Sequence, residues 1–332
     1  MIIPKVSIII VNWNGETFLG RCFASLYNST FEDFEVIFVD NGSTDNSVNL
    51  ASLLMHELNF EGSIIRLPEN IGFTGGNIEG LRHSVGRYIV LLNNDTEVTN
   101  VWLERLVQTM DSRNNVGICG SKQIIIGTRK IDEAGHLFSN SLNVYGRGKG
   151  KDIKNYSIPE YVPSVCAAAA IYRKSMLDEI GFFDEDFFLD YEDIDLAFRA
   201  QLAGWKVFYE PTAIVYHYCG STKDKIKKKS EYYNQRNKKL TFLKNLPLIL
   251  FFYFLPCFII GELESVLWNI KLGNFKGYIN SWIDFFRKFK LYLRKRREVM
   301  KLKRVSNCYI KGLFSNAFKV YWNRYSKTLI IL

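Results

Sequence analysis

The first 220 residues alternate short apolar runs with stretches whose apolar positions recur every three or four residues. Val6–Val11 (VSIIIV), Phe34–Asp40 (FEVIFVD), Ser63–Leu67 and Tyr88–Leu92 (YIVLL) read as buried strands. Between them Thr17–Tyr27, Asp45–Leu58 and Asn77–Ser84 carry helical spacing, with Asp45 placed to cap the second of these. Such alternation predicts an α/β fold, a largely parallel sheet with helices on both faces. Farther on, Val101–Met110 and Tyr191–Ala203 read as helices, and Val165–Tyr172, Trp205–Tyr209 and Ala213–His217 as strands. Gly127–Pro163 is polar and glycine-bearing and reads as an irregular loop region. Ligands bind such sheets outside the carboxyl ends of the strands. Polar residues gather there: Asn12–Asn14 after the first strand, Asp40–Asp45 after the second, Asn93–Asp95 after the fourth. One site assembled from three loops is the expectation.

From Ser221 the pattern changes. A basic run, Lys223–Lys229, leads into a basic helix, Tyr232–Lys244. Leu246–Ile260 carries no charge, yet as a helix it spans only about 22 Å against the ~30 Å of a bilayer core. Pro247 and Pro256 interrupt it and Glu262 and Glu264 close it, so a simple transmembrane span is not expected. In Tyr278–Arg297, Ile279, Trp282, Ile283, Phe286, Phe289 and Leu293 fall on one helical face, and Arg287, Lys288, Lys290, Arg294 and Lys295 crowd the rest. This is the pattern of a helix lying in a membrane interface; the alternative is a helix packed on the body with a solvated basic face. The predicted organisation is a body over 1–222, with halves at about 1–98 and 99–222, and a helical, basic appendage over 223–332.

Composition sharpens that division. The 332 residues are 47% hydrophobic and 23% charged, which excludes a disordered or low-complexity chain. The net charge of +9 hides a split: residues 221–332 hold 25 Lys/Arg against 6 Asp/Glu, leaving 18 against 28 in residues 1–220. An acidic body suits cation chemistry, and a basic, aromatic-rich tail suits a polyanionic surface. No nucleic-acid recognition motif accompanies the charge, so residues 245–332 are expected on anionic lipid and no nucleic-acid partner is expected. The six cysteines are scattered without a CxxC pair and read as reduced thiols of a cytosolic protein. Met1–Pro4 runs directly into a strand pattern, so no secretory signal is expected. Together these place the chain in the cytoplasm, peripheral on the inner face of the cell membrane.

The strand-end residues have definite chemistry. Asp40 can accept a hydrogen bond from a base N3–H or a ribose hydroxyl, or cap the following turn. Val11, Asn12, Trp13 and Asn14 offer an edge and backbone polar groups to the same base, although a strand-end Trp can also plug the core. Gly72, Gly75, Gly76 and Gly80 let a backbone approach a diphosphate or adopt positive φ, as an ordinary glycine loop does. Asn93-Asn94-Asp95 presents side-chain oxygens beyond a strand end, where Asp95 can also cap a helix. Asp184–Asp195 carries seven carboxylates interleaved with Phe187, Phe188 and Tyr191, so part of it is buried, and like charges this dense should raise at least one pKa. Asp195 and Arg199 are spaced for a structural ion pair. His217 stands at a predicted strand end, where a lone histidine is usually structural.

VSIIIVNWNG (6–15), VDNGSTD (39–45), ENIGFTGGNIEG (69–80), LLNNDTEV (91–98), GFFDEDFFLDYEDIDLAFRAQLAGWKV (181–207) and VYHYCGST (215–222) occur in that order. As an ordered set over about residues 5–222 they resemble the inverting family 2 glycosyltransferases of the GT-A fold, most closely the rhamnosyltransferase-like branch that builds surface polysaccharides. The resemblance implies transfer of a sugar from a nucleotide-diphospho-sugar (dTDP-rhamnose, a UDP-sugar or a GDP-sugar) to a polyprenyl-linked or saccharide acceptor. It assigns Asp40 and residues 11–14 to the base, and Gly72, Gly75, Asn77, Asn93 and Asn94 to the nucleotide sugar. Asp95 matches the principal metal aspartate of the family's DxD motif and His217 a further ligand of Mg²⁺ or Mn²⁺. Asn93 departs from the motif's first Asp and lowers the site charge by one. Glu192 and Asp193 match the family's Glu-Asp motif, with Asp193 the general base. A sugar-phosphate nucleotidyltransferase would open with a glycine-rich basic loop, unlike NWNGETF, and a processive synthase would carry several long spans. The remaining alternative is a non-catalytic, membrane-bound adaptor that binds nucleotide sugars.

Overall fold

The computed structural model describes residues 3–218 and 227–316. The end of the VYHYCGST motif, residues 223–226 of the basic run and residues 317–332 lie outside the described residues. The chain begins β1 (Val6–Asn12), α1 (Glu16–Tyr27), β2 (Phe34–Asp40), α2 (Ser47–Glu57), β3 (Gly62–Arg66), α3 (Gly72–Arg82) and β4 (Tyr88–Leu92). It continues with β5 (Thr96–Val98), α4 (Trp102–Ser112), β6 (Val116–Ile125), β7 (Ile131–Glu133), β8 (His136–Ser139), β9 (Val144–Gly146), β10 (Glu160–Tyr161) and β11 (Ala169–Arg173). Then come α5 (Lys174–Ile180), α6 (Glu192–Leu202), β12 (Lys206–His217), α7 (Lys227–Asn245), α8 (Leu248–Lys271), α9 (Phe275–Lys301), α10 (Asn307–Gly312) and β13 (Phe314–Ser315).

One ten-stranded sheet runs β10-β12-β6-β11-β4-β1-β2-β3, with β5 on β12 and β7 on β6. The strands β3, β2, β1 and β4 are mutually parallel, β11 is antiparallel to both its neighbours, and β12 returns parallel to β6. Strand residues are apolar on both faces because both are covered. Val6, Ile8 and Ile10 pack with α1, α2 and α4; Ile9, Ile37 and Val39 pack on the opposite side, where α3, α5 and α6 lie. Helix α6 is buried all round: Leu196, Ala197 and Ala200 join the sheet core, while Ile194, Phe198 and Leu202 join a third cluster with Leu240, Phe242 and Tyr292 of the C-terminal helices. The parallel sheet with helices on both faces is therefore as expected, and α7–α9 are built onto its far half.

Several elements differ from expectation. Helix α3 begins at Gly72 rather than Asn77, so the glycine-rich stretch is a helix and not a loop. A Cβ at Gly76 would stand 2.7 Å from Val11 and one at Gly80 2.4 Å from Ile9, so these glycines let α3 lie close on β1. Residues 127–163 contain β7–β10 and are held at Lys122, whose ammonium donates to the carbonyls of Ile153 and Asn155. The two late strands are one: Pro211 and its neighbours form a bulge between Glu210, opposite Ser121, and Ile214, opposite Lys122. Strand β6 and helix α5 carry no clear period in the sequence and do not stand out from it. From Leu248 the apolar run 246–260 forms the first part of a longer helix, α8, which is long and apolar enough to cross a membrane and mostly exposed. Yet its middle is fixed to the body: a Cβ at Gly261 would meet the Ser141 carbonyl at 2.6 Å, and Glu262 pairs with Lys238 at 2.8 Å.

The acidic segment is where body and appendage are joined. Lys244 of α7 is buried between Asp184, at 2.6 Å, and Asp195, at 2.8 Å. Lys295 of α9 bridges Asp184 and Asp186, and Lys288 pairs with Asp186. Burial alone would raise the Asp184 carboxyl, but Lys244 and Lys295 more than offset it and hold the group well below the usual range; Asp186 is lowered in the same way. The raised pKa expected from crowded carboxylates is therefore reversed for these two. The basic face of α9 is likewise only partly solvated: Lys288 and Lys295 point inward, and Arg296 caps the α7 carboxyl end through the Leu243 and Leu246 carbonyls. The expected Asp195–Arg199 pair forms at 3.0 Å.

A carboxylate lowered on folding contributes stability above its unfolded pKa of about 3.9, and that contribution is lost as pH falls further. Urea midpoints should accordingly be level from pH 7 to pH 5 and drop below pH 4. Lys244→Met should remove about 3–5 kcal/mol at pH 7; a midpoint equal to that of the parent chain would contradict the assignment.

Candidate active site

Two adjoining cavities open at the carboxyl edge of the sheet. The first, about 320 Å³, is walled by Val11, Trp13, Asn41, Asn70, Gly72, Phe73, Asn93, Asn94, Asp95, Phe188, Leu189, His217 and Lys229. The second, about 480 Å³, holds Asp132, Glu133, His136, Lys149, Asp190, Glu192, Asp193 and Asn234. Phe73, Asn93, Leu189 and His217 wall both.

Sheet register brings the metal candidates together. β5 pairs antiparallel with β12, His217 opposite Thr96, so Asp95 stands beside His217. Asp95 Oδ1 lies 3.4 Å from His217 Nε2. On the other side of the ring, Nδ1 lies 2.9 Å from Asp132 Oδ2. Asp132 is the extra residue of a bulge: Glu133 opposes Gln123 and Ile131 opposes Ile124, which takes Asp132 out of the register and aims it at His217. The pair fits a divalent ion. Two ligands bound at about 2.1 Å each stand roughly 3.0–3.5 Å apart, and a carboxylate on the distal imidazole nitrogen directs the Nε2 lone pair to the metal. Among the described residues no group of three or more His, Cys, Asp or Glu side chains forms a cage. The remaining ligands would then be substrate oxygens.

Asp193 sits in the first turn of α6. That helix starts from two consecutive left-handed residues, Asp190 (φ 66°) and Tyr191 (φ 72°), a costly conformation for side chains of this size. Asn237 of α7 holds the turn, its amide donating to the Leu189 and Asp190 carbonyls at 2.8 Å each, and Ser230 donates to Asp190 Oδ2 at 2.7 Å. Asp193 Oδ2 accepts from the Ala167 N–H at 3.2 Å and Oδ1 from the Ile194 N–H at 2.7 Å, which fixes the carboxylate at the cavity wall.

Of the residues singled out in the sequence, Val11, Trp13, Gly72, Asn93, Asn94, Asp95 and His217 meet at the first cavity, and Glu192 and Asp193 at the second. Asn12, Asn14, Asp40, Gly75 and Asn77 do not line either. Asp40 accepts from the Ser43 N–H at 3.1 Å, Asn12 accepts from Asn94 Nδ2 at 2.5 Å, and Asn14 Oδ1 accepts from the Thr44 N–H at 2.7 Å, so the three brace the loops from behind. Asn77 donates to the Phe73 carbonyl at 2.8 Å within α3, and Gly75 faces Ile71. Asn41, Asn70 and Phe188 line the first cavity and lie in stretches that the sequence marks without assigning them a role; Lys229, Asp132 and Asn234 line the cavities with no such signal. Lys229 belongs to the basic run that reads as tail, and Asp132 to the stretch that reads as an irregular loop.

The profile of glycosyl transferase family 2 matches residues 7–181. The chain belongs to this family. It is 24% identical over 184 residues to the GalNAc(5)-diNAcBac-PP-undecaprenol beta-1,3-glucosyltransferase of Campylobacter jejuni, covering 55% of this chain and 56% of that one. It is 23% identical over 217 residues to the putative glycosyltransferase EpsH of Bacillus subtilis, covering 65% and 60%. The chain spans 24%, 38% and 60% of the length of the first curated relatives it matches. Its fold follows that of the mannosyltransferase PcManGT from Pyrobaculum calidifontis in complex with GDP-Man and Mn²⁺, with a TM-score of 0.57 and 14% identity over 97% of this chain and 88% of that one. The architecture is accordingly the GT-A α/β fold with C-terminal helices added; these matches do not single out a rhamnosyltransferase branch.

If Asp132 orients His217, Asp132→Asn should weaken Mn²⁺ binding about 10–100-fold, read by electron paramagnetic resonance with UDP present. Unchanged Mn²⁺ affinity would reduce Asp132 to a loop tie.

Proposed function

We propose that this family 2 protein is a metal-dependent, inverting glycosyltransferase that moves a sugar from a nucleotide-diphospho-sugar to a lipid-linked or oligosaccharide acceptor. The observation that carries the reading is that Asp95 with His217, and Asp193, stand on the walls of two cavities that share a boundary. The donor occupies the first, its base near Val11 and Trp13 and its diphosphate toward Asp95, His217 and Lys229. The acceptor occupies the second. Mg²⁺ or Mn²⁺ bound by Asp95 and His217 would neutralise the leaving diphosphate. Asn93 adds a carbonyl without charge, and Lys229 adds a cation at the same wall. Asp193, held by the Ala167 and Ile194 N–H groups, takes the proton from the acceptor hydroxyl as that oxygen attacks the anomeric carbon from the side opposite the diphosphate, and configuration inverts. Glu192, the neighbouring carboxylate, helps hold the acceptor. Rhamnose, glucose, galactose, mannose and N-acetylated sugars all fit this chemistry.

The C-terminal helices support a place on the inner face of the cell membrane. Phe286 of α9 is 65% exposed, and Ile279, Ile283, Phe289 and Leu293 are exposed around it, while Arg287, Lys290, Arg294 and Arg297 stand beside them in solvent. Of the apolar face expected to bury itself in an interface, these five residues are turned outward, while Trp282 is half-buried with its Nε1 donating to the Tyr278 hydroxyl at 2.9 Å. The Campylobacter relative, by its name, acts on an undecaprenol-linked saccharide, which supports a polyprenyl-linked acceptor here.

Incubation with UDP-, dTDP- and GDP-sugars and Mn²⁺ or Mg²⁺ should release nucleoside diphosphate from one donor, and Asp193→Asn should lower that release by about 10²–10⁴. Release that survives both Asp193→Asn and Asp95→Ala would reject the assignment; nucleotide-sugar binding with no turnover in any acceptor extract would favour the adaptor. The membrane reading is checked by flotation with vesicles containing phosphatidylglycerol: Ile283→Glu with Phe286→Glu should leave the protein at the bottom of the gradient. Undiminished flotation would remove α9 from the contact.

A further inference from the structure

We infer that α8 lies lengthwise in one membrane leaflet, its outer face covered by lipid acyl chains, and does not cross the bilayer. The inference rests on the reading of α9 as a membrane contact and extends that contact from the headgroups into the hydrocarbon. Helix α8 is amphipathic in the reverse sense to a helix on a water-soluble body. Leu248, Ile249, Phe252, Ile260, Leu263 and Leu267 recur at helical spacing and are each at least 60% exposed. With Pro256, Ile259 and Ile270 they form an outward stripe about 33 Å long. The polar side chains turn to the protein instead. Glu262 accepts from the Tyr278 hydroxyl at 2.8 Å and pairs with Lys238 at 2.8 Å. Glu264 accepts from the Asn143 amide at 3.2 Å, and Ser265 accepts from Lys238 at 3.1 Å. Asn269 is fully buried, its amide donating to the Ser265 carbonyl at 2.9 Å. A helix whose outer face meets water shows the opposite arrangement. Acyl chains cover such a stripe without asking it for hydrogen bonds.

The charges around the stripe select lipid over a second copy of the chain. Lys271 and Lys276 are exposed at its carboxyl end, and Lys311 stands over the Tyr253 ring near its amino end, 4.0 Å from the ring centre. Between residues 246 and 297 every exposed charge is a cation. Anionic headgroups complement that rim, whereas two copies meeting on this face would set like charges together. The attachments of α8 argue against crossing. Leu250 and Phe254 are buried against the body, the Phe254 ring 4.8 Å from that of Phe314, and Gly261 is pressed on the Ser141 carbonyl. The body therefore follows α8 along its length. A spanning helix would carry the Lys238–Glu262 pair and the backbone at Ser141 into the hydrocarbon, where both are costly.

The test mixes the full chain with vesicles of phosphatidylcholine and phosphatidylglycerol that include a phosphatidylcholine with a diazirine midway along one acyl chain. After irradiation, mass spectrometry locates the label. It should fall on Ile249, Phe252, Ile260, Leu263 and Leu267 and spare Leu250, Phe254 and Ser265. Phe252→Gln with Ile260→Gln should lower the vesicle partition coefficient roughly 100-fold. The thermal midpoint without vesicles should stay at the parent value, because both side chains already face water there. An unchanged partition coefficient overturns the inference. So does label all round α8, which would mean a spanning helix. A discrete dimer that persists with vesicles and leaves α8 unlabelled assigns the stripe to a second copy and overturns it as well. Flotation separates the two levels. Protein that floats with label on α9 and none on α8 overturns the inference and leaves the membrane reading standing. Protein that does not float overturns both.

Discussion

The arrangement of the site depends on how seven carboxylates in twelve residues are kept folded against the sheet. Left together they would repel one another and draw in water. Lys244, Lys288 and Lys295, presented by two helices that come later in the chain, neutralise Asp184, Asp186 and Asp195 from beneath. Phe187 stacks on Tyr292 in the same layer, with 6.3 Å between ring centres. With its flanks pinned, the segment can carry the left-handed turn at Asp190–Tyr191 that starts α6 and leaves Glu192 and Asp193 on the cavity wall. Some of the opposite charge on body and tail is thus spent on a single internal contact, and only the remainder faces outward.

A division of labour follows. The parallel half of the sheet supplies loops braced by one another: Asn12 to Asn94, Asn14 to Thr44, Asp40 to Ser43. The mixed half supplies register. Asp95, His217 and Asp132 are far apart in the sequence, and the pairing of β5, β12, β6 and β7 makes them neighbours. Asp193, the proposed general base, comes from neither half but from a helix start held by α7. A change in α7 is therefore felt at Asp193 without any contact with substrate.

The sequence was most informative where one physical period dominated. Strands β1, β2 and β4 were legible because continuous apolar runs of that length bounded by polar turns have few other outcomes; Asp95 and His217 stood out beside the ends of apolar runs, and Asp193 only through its match to the family's Glu-Asp motif. Strand β6 was not, since VGICGSKQII mixes small and polar residues whose burial comes from Val165, Trp102 and the loop at Ile153. Glycines at 72–80 suggest a loop because helix propensity disfavours them; their role in letting α3 approach β1 exists only once β1 is beside it. Asp132 could not be read, because what selects it is a bulge in a three-residue strand. The basic tail suggested an anionic surface, and three of its lysines found theirs inside the protein.

Asn237 of α7 holds the left-handed turn that leads into Asp193, and the arrangement of the second cavity depends on that contact. Hydrogen–deuterium exchange on Asn237→Ala tests it without introducing an unpaired charge. Exchange should become faster across residues 186–195, with β1 and the 12–15 loop protected as in the parent chain. Equal protection of 186–195 in both proteins would contradict the claim, since the turn would then be held by something other than Asn237.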